Sequence, residues 1–414
     1  MHLLPASPKI APQAPSSIPE VAFVLELGRT LQAFGVSAPT LETALGRVCQ
    51  HLGLEGAVYA TPTGCLASLR QEGHHSKTYL LRVEAGGANL EKLAEAEALV
   101  DQVLEDQVDV AMARERLARL SARPARYGPW TQVGANGIAA MGLAKVFGGG
   151  WREVLLGAGL GLLVGACVQA TRRRRNLASL SPLVGGLLSA LGGGLLGHLL
   201  PQTSHSILVL SGIIVLVPGL GLLVSMQELG TGNLVSGTSR LAGTGFEFLL
   251  LAFGVGLGQR LGGPWFQGLP AEPVALPLWT LGPALALVAL GFLVIFNGRL
   301  SDYGWTLAAS VLAWSAARFG TQLLGPEAGA LIAALVLGSA CNQYARRFRR
   351  PSAVLLLPSL MLILPGSLGF RGLTLMMHQQ TLEGLQAGFQ SLSVTVALML
   401  GLLLANAMVS RRTF

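Results

Sequence analysis

The chain has 414 residues, of which 51% are hydrophobic and only 12% charged, and its mean hydropathy is +0.55. A soluble domain usually carries about 25% charged residues, so this composition excludes an ordinary soluble protein and predicts an integral membrane protein. The net charge of +8 comes from arginines in short connecting loops, where they set membrane orientation, so we expect no nucleic-acid partner.

The charged residues are unevenly distributed along the chain. Residues 1–126 contain 14 acidic and 12 basic side chains, whereas the remaining 288 residues contain 7 and 17. A soluble region therefore precedes a membrane region. Residues 1–19 are rich in proline and lack a continuous apolar core, which predicts a disordered leader rather than a secretory signal and keeps the soluble region in the cytoplasm.

The soluble region over 20–126 is predicted to form a small α+β domain. Apolar residues at helical spacing predict four helices, over 21–36, 41–52, 90–104 and 108–120. Ser37 and Asn89 stand where they can cap the second and third of these helices. Strand-forming residues over 56–69 and alternation over 78–84 predict a hairpin.

No enzyme is expected from this domain. Its reactive side chains are His51, Thr63, Ser68, His74 and His75, and no nucleophile elbow, phosphate loop or metal pair surrounds them. The four cysteines of the chain are scattered without metal spacing and are interpreted as packing residues, so we expect no metal and no other cofactor. A membrane-anchored hydrolase that acts through this domain is the alternative from a different class.

Apolar stretches of about 20 residues each predict ten transmembrane helices, at 130–148, 153–170, 179–200, 206–224, 234–259, 275–297, 303–320, 327–345, 352–370 and 383–409. Five helices in each half is an odd number, so the halves over 130–260 and 275–409 should insert with opposite orientations, as a 5+5 inverted repeat. With both termini in the cytoplasm, the arginine-rich loops also fall on the cytoplasmic side, as the positive-inside rule requires.

Two Pro-Gly pairs, Pro218-Gly219 and Pro365-Gly366, interrupt the fourth stretch of each half and lie 147 residues apart. Proline removes a backbone donor and clashes with the preceding turn, so each pair should break a membrane helix and free backbone polar groups. Such groups are tolerated where they line a cavity or bind a ligand, which predicts a substrate site at the two breaks.

Ionisable side chains inside apolar stretches are costly and therefore informative. Glu247 lies near the centre of the fifth stretch and is predicted to carry a coupled proton. Glu228 and Arg240 flank the turn between the fourth and fifth stretches, and Asp302 follows the sixth; for these three residues, an interfacial position is the alternative.

Several short motifs are similar to those of the threonine/serine exporter (ThrE) family, in the same order along nearly the whole chain. They are Ala60-Thr61-Pro62-Thr63, Leu80-Leu81-Arg82-Val83, Val217-Pro218-Gly219, Glu228-Leu229, Gly237, Arg240, Phe296-Asn297, Pro351 and Leu364-Pro365-Gly366. The resemblance implies export of small hydroxy amino acids across a bacterial inner membrane by antiport with protons. It leaves open a homo-oligomer, a dicarboxylate as the exported substrate, and a passive channel.

Together, the breaks, the polar residues and the resemblance predict the functional residues. Expected substrate contacts are Pro218, Gly219, Ser225, Glu228, Asn233, Arg240, Asn297, Pro365 and Gly366, and expected proton-coupling residues are Glu228, Glu247 and Asp302. Two positions depart from the family pattern. Glu228 replaces the more typical aspartate, and Phe370 stands where a tyrosine often follows the second Pro-Gly.

Overall fold

A computed structural model describes residues 18–71, 73, 75–83, 87–172, 175–200, 202–266, 274, 276–377 and 380–409. Most of the predicted leader, His74, and Arg173, Arg174, Arg411 and Arg412 of the basic loops and tail lie outside these residues.

The N-terminal region, residues 18–122, contains four helices and a sheet: α1 Pro19–Ala33, α2 Ala38–His51, β1 Leu54–Thr61, β2 Gly64–Gln71, β3 Lys77–Arg82, α3 Leu90–Leu104 and α4 Val110–Ala122. The four predicted helices are therefore present. The sheet has three antiparallel strands in the order β1-β2-β3, one more than the predicted hairpin. The reason is the tight turn at Pro62-Thr63, which divides the first predicted strand segment and pairs Thr61 with Gly64.

Local signals place these helices. The Asn89 side chain accepts a hydrogen bond from Lys92 N at 3.1 Å, which satisfies an amide that has no partner within α3. The domain core is apolar and includes the fully buried side chains of Phe23, Leu27 and Leu41. Cys49 belongs to this core, and burial raises the pKa of its thiol to about 11.

The remaining helices form the membrane region. They are α5 Pro129–Val146, α6 Trp151–Arg172, α7 Arg175–Ala178, α8 Ser181–Leu199, α9 His205–Ile213, α10 Gly219–Gly230, α11 Leu234–Leu261, α12 Leu281–Ile295, α13 Tyr303–Leu324, α14 Pro326–Phe348, α15 Ala353–Leu360, α16 Gly366–Met377 and α17 Thr381–Met408. Each of the ten predicted stretches coincides with one helix or with a broken pair of helices.

Within the described ranges, six helices are long and apolar enough to span a membrane: α6, α8, α11, α12 with its preceding turn, α14 and α17. A seventh span results if α9 and α10, which are bent by 53° at the first Pro-Gly, count as one. The structure is thus that of a multi-helix membrane protein. Helix α5 carries the polar Gln132, Asn136 and Lys145, which reduce its hydropathy.

The two halves share one pattern of helix neighbours. In the first half, α5 packs against α6 and α9, α6 against α8 and α9, and α11 against α8 and α10. In the second half, α12 packs against α13 and α15, α13 against α14 and α15, and α17 against α14 and α16. Every helix pair of one set has its counterpart in the other.

Glycine rows let these helices approach closely. A Cβ placed on Gly254 of α11 would lie 2.1 Å from the Leu183 carbonyl oxygen of α8, and one on Gly161 of α6 would lie 2.5 Å from Ala140 Cβ of α5. Small residues at membrane helix interfaces permit such contacts, so these glycines serve packing.

We expect Gly254→Ala to destabilise the protein by about 1–3 kcal/mol, because the added methyl group forces α8 and α11 apart. Gly243→Ala on the same helix is the matched control, since a Cβ there meets nothing within 4 Å. Thermal unfolding of both purified variants in detergent measures the difference. Equal melting temperatures for the two variants would contradict the packing role of Gly254.

Candidate functional site

The two Pro-Gly breaks contact each other. A Cβ placed on Gly366 would lie 3.3 Å from Gly219 Cα and 2.6 Å from Val217 Cγ1. Both glycines are buried, and a side chain on Gly366 would require Val217 to move. The structure therefore brings together four of the predicted substrate residues, Pro218, Gly219, Pro365 and Gly366, from segments 147 residues apart.

Each break starts a short helix that crosses into the other half. Leu223 of α10 is buried in the apolar cluster of the second half, with Leu360 and Leu398. Phe370 of α16 is buried in the cluster of the first half, with Phe248. Leu223 and Phe370 are also 147 residues apart, so the exchange is reciprocal. Phe370 packs among apolar side chains, where a tyrosine hydroxyl would need a hydrogen-bond partner.

An open cavity of about 560 Å³ lies between α10, α11, α16 and α17, within the range of small-molecule sites. Its lining is mainly apolar, and its hydroxyl groups come from Thr244 and Ser391. Ser391 Oγ donates to the Pro365 carbonyl at 3.0 Å, so the cavity adjoins the second break. Both hydroxyls were missed from the sequence, because Ser and Thr in membrane helices usually bond to their own helix. The signal that could have found them is their spacing of 147 residues.

Glu228 lies at the contact between α10, α11 and the N-terminal domain, and its side chain is completely buried. Arg240 donates two hydrogen bonds to its carboxylate, both at 3.0 Å. Ser236 Oγ donates at 2.9 Å and Ala38 N, in the first turn of α2, at 3.1 Å. Four protein donors thus occupy the acceptor sites of this carboxylate. Its predicted contacts with substrate and proton stay predictions.

Other predicted residues lie around the same interface. Asn233 donates from Nδ2 to Glu42 Oε2 of α2 at 3.0 Å, and it therefore ties the α10–α11 turn to the domain. Ser225 is buried in α10 and donates to the Leu222 carbonyl of its own helix at 2.7 Å. The structure does not bring Ser225, Asn233 or Arg240 into the lining of the cavity.

A second docking contact joins α3 to the C-terminal end of α12. The amides of Leu90 and Glu91 donate to the carbonyls of Phe296 and Asn297 at 2.9 and 3.3 Å. Unpaired amides at a helix start thereby satisfy unpaired carbonyls at a helix end. Asn297 adopts a left-handed conformation with φ of 55°, which asparagine tolerates better than most residues.

Charged pairs surround this second contact. Arg299 Nη2 donates to Glu95 Oε1 at 2.9 Å, and Arg126 Nη1 donates to Glu91 Oε1 at 2.6 Å. The hydrogen bond that Arg126 donates to Glu91 raises the pKa of the Arg126 guanidinium. Asn297 is therefore part of a domain interface, and its predicted substrate contact stays a prediction.

Asp302 is buried at the start of α13 and forms an ion pair with Arg350, which precedes α15. Glu153 is buried in the first turn of α6, and its carboxylate accepts from the amides of Gly150 and Ser204 at 2.9 and 2.8 Å. A carboxylate at the start of α6 thus contacts the segment before α9, and a carboxylate at the start of α13 contacts the segment before α15. These are equivalent positions in the two halves.

Glu247 lies on an exposed side of α11, between Phe246 and Phe248, which both line the cavity. Within the described residues its carboxylate has no hydrogen bond and no ion pair. In the N-terminal domain, His51 bonds to Asp106 at 3.1 Å, Ser68 bonds to Ser76, and His75 is exposed. Among the described residues, no three His, Cys, Asp or Glu side chains are grouped to hold a metal ion.

Two family models match the chain. The model described as "Putative threonine/serine exporter" matches residues 22–262, and the one described as "Threonine/Serine exporter, ThrE" matches residues 283–408. Together they cover the domain, the breaks and both halves. No solved structure matches this chain significantly.

Relatives occur in bacteria and fungi. The threonine/serine exporter of Corynebacterium glutamicum is 29% identical over 327 residues, which are 75% of this chain and 64% of that protein. Pheromone-regulated membrane protein 10 of Pichia sorbitophila is 22% identical over 358 residues, 84% of this chain and 36% of that protein. The chain thus spans less than two thirds of the length of either relative.

We expect Glu228→Gln to lower the free energy of unfolding by about 3 kcal/mol, because it leaves Arg240 partly buried without its counter-charge. The control is Glu55→Gln, which removes an exposed ion pair with Arg70 and should cost less than about 1 kcal/mol. Chemical unfolding measures both values, and proteolysis of the 123–128 linker reports undocking of the domain. Equal stability of the two variants would show that this contact does not hold the domain.

Proposed function

Because this chain belongs to the threonine/serine exporter family, we propose that it exports threonine, serine or a similarly small hydroxy amino acid in exchange for protons. The observation that carries the proposal is the meeting of the two Pro-Gly breaks beside a cavity of about 560 Å³. Broken helices at the interface between repeats are where secondary transporters bind substrate.

The proposed architecture is ten transmembrane helices in a 5+5 inverted repeat, with halves over 130–260 and 275–409 and a separate domain over 20–126. The matching neighbours of the helices in both halves support it. The reciprocal burial of Leu223 and Phe370 supports it as well, because a pseudo-two-fold axis relates any contact to an equivalent one.

The proposed location is a bacterial inner membrane, with both chain ends in the cytoplasm. The N-terminal domain contacts the α10–α11 turn through Asn233, the α12–α13 turn through Arg299, and the start of α15 through Ala353. These contacts support the topology, because the predicted orientation puts all three segments on the side of the arginine-rich loops.

Substrate recognition is proposed to use the ends of the broken helices. Helices α10 and α16 start at the breaks, and the amides of a first helical turn favour a carboxylate. The carbonyl-bearing ends of α9 and α15 lie on the other side of each break and suit an ammonium group. Threonine and serine carry both groups.

Transport by the purified full chain in proteoliposomes tests this function, with radiolabelled threonine, serine and succinate as substrates. We expect a pH gradient to accelerate movement of threonine and serine, and we expect no transport of succinate. Transport of succinate alone would indicate a dicarboxylate exporter. A rate of threonine transport that does not change with the pH gradient would indicate a passive channel.

We expect the double variants Pro218→Ala/Gly219→Ala and Pro365→Ala/Gly366→Ala to lose transport, because alanine restores continuous helices and pairs the freed backbone groups. Gly282→Ala/Pro283→Ala is the matched control, since it changes a Gly-Pro pair in the first turn of α12, where proline is tolerated. Equal transport by all three variants would show that transport does not require the helix breaks.

Glu247→Gln keeps the size of the side chain but removes its ionisable group. If Glu247 carries the coupled proton, threonine transport should lose its response to the pH gradient while threonine binding persists. Glu383→Gln, an exposed carboxylate in the first turn of α17, is the control and should keep the response. An unchanged response in the Glu247 variant would assign this residue a structural role.

A further inference from the structure

Thr244 and Ser391 occupy equivalent positions of the two halves. They are 147 residues apart, like the two Pro-Gly pairs, and both line the cavity. Three other lining pairs have the same spacing, Leu222 with Gly369, Leu241 with Gly388, and Gly245 with Leu392. The cavity is therefore bounded by equivalent parts of both halves, as a compartment on the pseudo-two-fold axis would be.

The two hydroxyls differ in their hydrogen bonds. Ser391 Oγ donates to the Pro365 carbonyl at 3.0 Å, and that carbonyl also accepts from Gly369 N at 3.1 Å. In the first half the Pro218 carbonyl accepts from Leu222 N at 3.2 Å, which is the equivalent backbone bond. Within the described residues, however, Thr244 does not make the bond equivalent to that of Ser391.

Thr244 is 5% exposed as a residue, and among the described residues its hydroxyl makes no hydrogen bond. It faces the first turn of α10, since a Cβ placed on Gly221 would lie 2.6 Å from Thr244 Oγ1. A hydroxyl that makes no hydrogen bond with the protein keeps its donor and acceptor free for a ligand. Its position in the cavity wall leaves it accessible to such a ligand.

The lining of the cavity selects the class of ligand. No lining residue is charged, so a dicarboxylate would enter without cationic side chains to balance its two charges. A zwitterionic amino acid has no net charge and needs only local partners. Helix-start amides and a hydroxyl donor supply these partners for its carboxylate.

We propose that this cavity is the substrate compartment and that the Thr244 hydroxyl binds the carboxylate of a small zwitterionic amino acid in the conformation described. In the opposite-facing conformation, the Ser391 hydroxyl binds this carboxylate instead. In that second conformation Thr244 donates to the Pro218 carbonyl and Ser391 is released from Pro365. The inference rests on the proposed function, because exchange of conformations between inverted repeats produces alternating access.

The test is threonine transport by the full chain in proteoliposomes, with KM measured separately for substrate on each side of the membrane. Thr244→Val should raise KM roughly three- to tenfold on one side, and Ser391→Ala should do so on the other, as loss of one hydrogen bond predicts. Thr244→Ser should restore the wild-type KM. The matched control is Thr238→Val, because the exposed Thr238 hydroxyl donates to Leu234 O of its own helix.

Three outcomes decide between the possibilities. The proposal is supported if Thr244→Val raises KM on one side of the membrane, Ser391→Ala raises KM on the other side, and Thr244→Ser keeps the wild-type KM. An unchanged KM in both variants, or an increase on the same side in both, overturns it even though wild-type transport persists. If the wild-type chain moves neither threonine nor serine, the proposed function itself fails. Thr244→Val removes an unpaired hydroxyl without changing the side-chain shape, so we expect this variant to fold.

Discussion

The contact between the two Pro-Gly breaks is the constraint on which the membrane region depends. A Cβ placed on Gly366 would lie 2.6 Å from Val217 Cγ1 and 3.3 Å from Gly219 Cα. The proline at each break ends one helix and allows another to start in a new direction. Helices α10 and α16 stay packed against α11 and α17 of their own halves, and they bury Leu223 and Phe370 in the apolar clusters of the opposite halves. Neither half has a complete core alone, so the two halves are coupled through the same point at which the proposed substrate binds.

The N-terminal domain is attached by two helix ends, together with the apolar contacts of Leu90 and Ala353. The start of α2 meets the Glu228 carboxylate, and the start of α3 meets the end of α12. Both arrangements pair the positive end of a helix with negative charge. Through Glu228 and Arg240 the domain holds α10 and α11 together, and α10 is the helix that starts at the first break. Any movement of α10 during transport must therefore carry the domain along or break this contact.

The sequence predicted the elements well and the partners of its polar residues poorly. The ten apolar stretches, the Asn89 cap and both breaks could be recognised because each depends on neighbouring residues. The donation from Ala38 N to Glu228 could not, since Ala38 is 190 residues away and no local pattern marks it. Glu228 and Asn297 belong to motifs shared with the exporter family, and in the structure both contact the N-terminal domain. Thr244 and Ser391 were missed because a hydroxyl in an apolar helix has no distinctive pattern until the two halves are aligned.

The buried carboxylates Glu153 and Asp302 indicate which parts of each half stay fixed. Glu153 holds the segment before α9, and Asp302 holds the segment before α15 through Arg350. In the proposed inverted repeat these two contacts lie on opposite sides of the membrane, one at each surface. Each anchors the first part of a broken helix, whereas the second part, α10 or α16, packs across the interface. Because α9 and α15 are held while α10 and α16 pack across the interface, each broken helix should bend at its Pro-Gly pair. Rocking of one half against the other would therefore first change the cavity walls at Thr244 and Ser391.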